Sequence, residues 1–340
     1  MKACVAGLRH ALPDAVLDNE QLASQYEGWS AEKIFAKTGI RSRRIAAADE
    51  CASDLAVRAA MDLMAQTRVD RDSIDFLLYC TLTPDYVMPT TACLVQHRLG
   101  LPTSCGALDY SLGCSGYIYG LGLAKALIES GQARAILLLT ADTCTKLINP
   151  ADKSVRTLFG DGAAATLVVA GDEESLVGPF VYGTDGGGAC NIIVPAGAMR
   201  RAFVPNAELV ADASGNARTV NNLYMNGTEI FNFTLRRLPE VLCQLLQKSG
   251  HSWDDVDLFV FHQANRFMLD HLRRKLQIPE EKFVIAMEHV GNTVSSSIPI
   301  ALQSAADSGR LTPGALVMLA GFGVGYSWGA TFIRWPAALS

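Results

Sequence analysis

The chain has 340 residues, of which 49% are hydrophobic and 19% charged. That is too apolar for a disordered polypeptide and long enough for one large core or two fused smaller ones. Its formal net charge of −5 lacks the basic excess of a nucleic-acid binder, so a polyanionic partner would have to meet a local basic patch.

In chain order, the pattern predicts a helix over 54–66 and then a strand in Asp72-Ser-Ile-Asp-Phe-Leu-Leu-Tyr-Cys80, acidic residues leading into a short apolar run. A second helix ends at His97-Arg-Leu-Gly-Leu-Pro102. A third, rich in small residues, starts at Cys114 and stops at Ser130-Gly131, and strands follow over 135–140 and 162–170. The same series then recurs: a helix over 231–248, the strand Asp254-Asp-Val-Asp-Leu-Phe-Val-Phe-His262, a helix ending at Arg274-Lys-Leu-Gln-Ile-Pro279, a small-residue helix after Asn292 that stops at Ser308-Gly309, and strands over 315–320 and 325–334. Gly131 follows Cys114 at the same distance as Gly309 follows Asn292.

Strands alternating with helices imply parallel pairing, with an antiparallel hairpin closing each copy. The expectation is two similar α/β halves, 1–170 and 171–340, joined by the polar turn Gly171-Asp-Glu-Glu-Ser175. Packed about a pseudo-twofold axis, they would bring Cys80/His262 and Cys114/Asn292 toward one centre, which nominates Cys114, His262 and Asn292.

Other patterns narrow the class. Met1 to His10 is charged again too soon for a signal peptide. The uncharged stretch 315–333 carries Gly321, Gly323, Gly325 and Gly329, which fits two buried strands around a glycine turn better than a membrane span. A cytoplasmic protein without a membrane segment is expected. Nine cysteines, an odd number with no Cys-x-x-Cys pair, argue against a disulfide framework or a metal site.

Each nominated residue has a plain and a chemical reading. Cys114 sits in Ser111-Leu-Gly-Cys-Ser-Gly116. There it is either a small core residue or a thiol whose thiolate is favoured by the unpaired N–H groups of a helix N-terminus. His262 ends a strand of an open α/β sheet, where ligands bind. It is a satisfied structural histidine, a base, or a donor to a thioester carbonyl. Asn292 is an N-cap or a non-titrating donor to a developing enolate. Gly321-Phe-Gly-Val-Gly-Tyr-Ser-Trp-Gly329 is a simple hairpin or a source of backbone N–H groups for an oxyanion hole, and it leads into a strand, unlike a nucleotide loop.

Six motifs in this order resemble the beta-ketoacyl-ACP synthase III family of the thiolase superfamily over essentially the full length. They are Thr38-Gly-Ile-Arg-Ser-Arg43, Leu108-Asp-Tyr-Ser-Leu-Gly-Cys-Ser-Gly116, Phe159-Gly-Asp-Gly-Ala163, His262-Gln-Ala-Asn265, Gly291-Asn-Thr293 and Tyr326-Ser-Trp-Gly329. The resemblance implies an α/β thiolase-like fold, its two pseudo-symmetric halves packed as α-β-α-β-α layers. It implies an acylated nucleophile at Cys114, a decarboxylation pair in His262 and Asn292, and oxyanion donors in the backbone of Cys114 and of Val324, where the family usually has glycine. No metal or organic cofactor is required by it. The substrates would be thioesters of coenzyme A and of acyl carrier protein (ACP) phosphopantetheine: an acyl-CoA or acyl-ACP primer and malonyl-ACP.

Departures shape the details. Lys33 and Lys37 align where the family commonly has a tryptophan and an arginine around the adenine of coenzyme A, and Lys153 aligns with a later arginine; lysines can neutralise phosphate but cannot stack or fork. ACP is acidic, and Arg266, Arg273, Arg274 and Lys275 form either its basic patch or a solvated helix face; the family's basic positions fall on Arg274 and Lys275. Met88 aligns with the acyl-pocket residue delivered by the neighbouring subunit of a homodimer, and Phe322 is expected in the same pocket. A thiolase would need a second reactive cysteine in the C-terminal glycine hairpin, an elongating ketosynthase a histidine at Asn292, and a 3-hydroxy-3-methylglutaryl-CoA synthase a glutamate in the Gly-rich segment before Cys114; none is present there, and the last cysteine of the chain is Cys243. A specialised natural-product or alkylquinolone-type condensing enzyme or acyltransferase is the alternative within the family. A non-catalytic partner subunit would be expected to have lost the nucleophile.

Overall fold

The computed structural model describes residues 1–172 and 176–336. Glu173, Glu174 and Ser175 of the expected connecting turn lie outside the described residues. The principal elements are β1 (Lys2–Ala11), α1 (Ala52–Thr67), β2 (Phe76–Cys80), α2 (Thr91–Leu99), β3 (Gly106–Tyr110), α3 (Gly116–Glu129), β4 (Ala135–Asp142), β5 (Gly162–Gly171), β6 (Val177–Thr184), α4 (Gly227–Ser249), β7 (Leu258–Phe261), α5 (Arg266–Lys275), α6 (Ser297–Asp307), β8 (Leu316–Gly323) and β9 (Ser327–Arg334).

Two sheets result. The first has the order β1-β5-β4-β2-β3 and the second β7-β8-β9-β6. In the first, β2 runs parallel to β3 and β4, and β4 and β5 form an antiparallel hairpin that β1 extends. In the second, β7 runs parallel to β8, the hairpin is β8–β9, and β6 extends it antiparallel. The strands covered on both faces are continuous apolar runs: every residue of β4 and of β8 is buried. The uncharged stretch near the C-terminus is thus a hairpin of buried strands. Among the described residues, no helix is long and apolar enough to cross a membrane.

Helices cover and separate the sheets. On the first sheet, α1 buries a stripe including Leu55, Ala59, Leu63 and Met64 against the outer face, with α2 beside it. On the second, α4 buries Phe233, Leu238, Leu242 and Leu245. Between the sheets lie α3 and α6, each touching both, which completes five layers. Small residues make this middle layer thin. A Cβ at Gly120 would stand 2.2 Å from the Tyr110 hydroxyl and 2.5 Å from Leu138 Cδ1, so only glycine lets α3 lie this close to the sheet.

The second sheet has no full counterpart of β3. A single parallel bridge, Phe259 to Phe283, takes its place. The Gln263 side chain occupies the next ladder positions, donating to the Phe261 carbonyl at 2.7 Å and the Val284 carbonyl at 3.3 Å while accepting from Ala286 N–H at 2.8 Å. With these groups satisfied by an amide, the chain gains nothing by continuing a strand.

Candidate active site

Cys114 lies between the end of β3 and the start of α3 and is only 6% exposed. The hairpin tip of β8–β9 reaches across to it from the other sheet. A Cβ at Gly323 would stand 2.7 Å from Cys114 Sγ, and one at Gly321 would stand 2.6 Å from the Cys114 carbonyl oxygen. Glycine at these positions lets the tip settle on the sulfur, beside the backbone amides of Val324 and of Cys114 itself. Both favour a thiolate, but burial outweighs them and pushes the thiol up to about 12, with Asp142 adding to the rise.

Burial thus works against the thiolate that a helix start would favour. Part of the helix-start effect is also taken up locally: Gly116 N–H donates to Gly113 O at 2.8 Å and Ile118 N–H to Ser115 O at 3.0 Å.

His262 follows β7 and is 2% exposed. Burial pushes its imidazole down to about 3, so the ring is neutral near pH 7. Nδ1 lies 2.6 Å from Ser297 Oγ at the start of α6. The Phe322 ring meets the imidazole edge-on, 5.7 Å between centroids.

Asn292 is held by its own backbone, its N–H bonding Leu158 O at 2.9 Å and its carbonyl accepting from Gly160 N–H at 3.0 Å. Its Oδ1 accepts from Val294 N–H at 3.0 Å, a local capping bond that leaves the amide NH₂ free to donate elsewhere. Cys114, His262, Asn292 and Phe322 all line one cavity, whose other walls include Phe159, Ile192, Met225 and Ile230. It holds a thiol, an imidazole and two carboxamides, Asn292 and Asn265, among mostly apolar residues, with no carboxylate in the lining.

The remaining expected residues lie outside this cavity. Cys80 sits behind α3, its Sγ donating to Leu112 O at 3.0 Å. Lys33 and Lys37 both stand over the Trp29 ring, at 5.2 and 5.4 Å, and Lys33 Nζ donates to Gly28 O. Lys153 Nζ donates to Ser214 O at 2.8 Å. Arg266 pairs with Asp270 at 3.6 Å and, with Arg274, lines a separate surface depression beside Phe35 and Phe267. Lys275 Nζ donates to Leu235 O, and Arg273 pairs with Glu280. Met88 is 80% exposed. Among the described residues, no group of three or more His, Cys, Asp or Glu side chains could hold a metal ion.

Two features escaped the sequence. Asp142, the last residue of β4, is fully buried and pushed up to about 7 by desolvation. It accepts from Leu82 N–H at 2.8 Å, Ser295 N–H at 3.1 Å and the Ser295 hydroxyl, tying the loop after β2 to the loop after Asn292. The signal available was a lone acid closing an apolar run. The second feature is Ser297, hidden in a run of three serines.

In fold, the chain is one of the thiolase-like condensing enzymes, as its structural relatives show. A crystal structure of 3-oxoacyl-(acyl-carrier-protein) synthase III superposes with a TM-score of 0.96 at 55% identity, covering 98% of this chain and 100% of that one. A 3-oxoacyl-(acyl-carrier protein) synthase from Burkholderia xenovorans gives 0.92 at 35% identity, covering 99% and 95%. The models of 3-oxoacyl-[acyl-carrier-protein (ACP)] synthase III and of its C-terminal region match residues 108–186 and 246–335. A beta-ketoacyl-[acyl-carrier-protein] synthase III from Symbiobacterium thermophilum is 38% identical over 97% of both chains. The chain belongs to the beta-ketoacyl-[acyl-carrier-protein] synthase III family, whose members are acyltransferases of the ketosynthase type.

Proposed function

We propose that this enzyme starts fatty-acid-type synthesis by condensing an acyl-CoA primer with malonyl-ACP through an acyl-Cys114 intermediate. One observation carries the reading: Cys114, His262 and Asn292 line a single, mostly apolar cavity. Residues 1–170 form the half that supplies the nucleophile, and residues 171–340 the half that supplies His262 and Asn292.

In the first half-reaction Cys114 Sγ attacks the primer carbonyl, and the N–H groups of Cys114 and Val324 receive the oxyanion. The bond between the acyl carbon and the coenzyme A sulfur breaks, and the proton of the Cys114 thiol ends on that departing sulfur. No net proton is gained or lost. In the second, the malonyl thioester places its carbonyl oxygen against His262 and Asn292. Loss of CO₂ leaves the electron pair on the α-carbon as an enolate, which two neutral donors stabilise without trapping it as a salt. The α-carbon attacks the acyl-Cys114 carbonyl, the C–S bond breaks, and the sulfur takes up one proton to regenerate the thiol.

Around this centre, Lys33, Lys37 and Lys153 would neutralise coenzyme A phosphates. Arg274 and Lys275, with Arg266 nearby, would receive acidic ACP, and Met88 of a neighbouring subunit in a homodimer would complete the acyl pocket beside Phe322.

Intact-protein mass after incubation with a panel of acyl-CoAs and acyl-ACPs tests this. The primer's mass should appear on the wild-type chain and be absent from Cys114→Ala, and added malonyl-ACP should discharge it as a β-ketoacyl product. A wild-type chain that is never acylated would end the reading. One that is acylated but discharges to another acceptor would make it an acyltransferase.

A further inference from the structure

We infer that Ser297, backed by the Gln263 backbone, is a positioning residue that fixes which nitrogen of His262 carries the proton. The inference deepens the function proposed above and rests on it. Ser297 Oγ lies 2.6 Å from His262 Nδ1 and 3.3 Å from the Gln263 backbone N, and all three residues are buried. These are the hydroxyl's hydrogen bonds among the described residues.

The direction of both bonds follows from what each group can do. A backbone N–H only donates, so the Ser297 oxygen accepts from Gln263 and its own proton is left for His262 Nδ1. A neutral imidazole carries one proton, and with Nδ1 accepting, that proton sits on Nε2. The opposite tautomer would aim two N–H donors at the serine oxygen and strand a buried hydroxyl proton, a costly arrangement. The Gln263 N–H is itself immobile, because the side chain of that residue is bonded to Phe261 O, Val284 O and Ala286 N–H. Serine and glutamine therefore hold His262 as an Nε2–H donor toward the cavity. It can polarise a thioester carbonyl there but cannot take a proton at that atom.

Substitutions Ser297→Ala and Ser297→Thr test this against a purely structural role. Ser297→Ala should acylate Cys114 at the wild-type rate while its kcat for condensation with malonyl-ACP falls about tenfold or more, with KM for the primer unchanged. Ser297→Thr, which keeps the hydroxyl, should recover most of the loss. Nitrogen-15 NMR of the wild-type His262 ring should show Nδ1 bare and Nε2 protonated at neutral pH, and Ser297→Ala should show a mixture. Undiminished condensation in Ser297→Ala, or a wild-type ring protonated at Nδ1, overturns the inference. If the wild type is never acylated, the reaction scheme falls instead, and the ring spectrum still decides the tautomer whether or not either variant folds.

Discussion

Replacing Asn292 by aspartate changes one NH₂ to an oxygen and leaves the surroundings almost untouched. The backbone bonds to Leu158 and Gly160 do not involve the side chain, and a carboxylate oxygen can still accept from Val294 N–H as Oδ1 does at 3.0 Å. The fold should survive, so the effect should fall on chemistry. Losing a donor aimed at an oxyanion costs about a hundredfold in kcat. A carboxylate about 4 Å from an enolate oxygen adds repulsion of about 4 kcal/mol at an effective dielectric of about 20. Acylation of Cys114, which leaves Asn292 idle, should proceed normally. Burial raises the pKa of a carboxyl at this site, so its neutral, donating form returns as pH falls and the variant's condensation rate should climb toward acid. The assay is β-ketoacyl-ACP formation set beside intact-mass acylation from pH 8 to 5. An Asn292→Asp enzyme that condenses at more than about a tenth of the wild-type rate, or whose rate ignores pH, would refute the placing of Asn292 at the enolate.

Other expectations follow from the same geometry. His262, held down to about 3, stays neutral in the native state while the unfolded chain takes up a proton below about 6.5. Its contribution therefore falls as pH drops, by up to about 1.4 kcal/mol per unit between those values. Asp142, pushed up to about 7, acts in the opposite sense, so the difference between wild type and His262→Ala in urea unfolding at pH 7, 6 and 5 isolates the histidine; equal slopes would contradict its burial as a neutral ring. Gly323→Ala would drive a methyl to 2.7 Å from Cys114 Sγ. It should cost about 1–3 kcal/mol in stability and slow acylation measured by mass, whereas normal acylation would show that the hairpin tip does not sit on the sulfur. Charge reversal at Arg274 and Lys275 should raise KM for malonyl-ACP in a salt-dependent way, and an unchanged KM would place ACP elsewhere.

Much of the architecture was legible because it rests on local patterns. The apolar run Leu258–Phe261 is a strand with those bounds, and the helix expected over 54–66 spans Ala52–Thr67. Tertiary contacts were the illegible part. The missing partner of β7 is explained by one glutamine side chain, which no periodicity reports. The close approach of the opposite sheet's hairpin to Cys114 is likewise a tertiary contact. Most telling are the consecutive serines. Ser295 bonds Asp142, Ser296 bonds Thr140 and Ser297 bonds His262, and three identical letters in the sequence give no hint of these separate roles.

The contact between the β8–β9 tip and Cys114 has a consequence for the chain as a whole. The Cys114 sulfur is fastened to one layer and the proposed oxyanion donor at Val324 to another, with Gly321 and Gly323 leaving no slack between them. Slight sliding of one sheet over the other would register first at that atom. The packing of α3 and α6, remote as parts of it are from any substrate, thereby sets the tolerance of the reaction centre, and alterations to either helix should be felt in turnover before they are felt in melting.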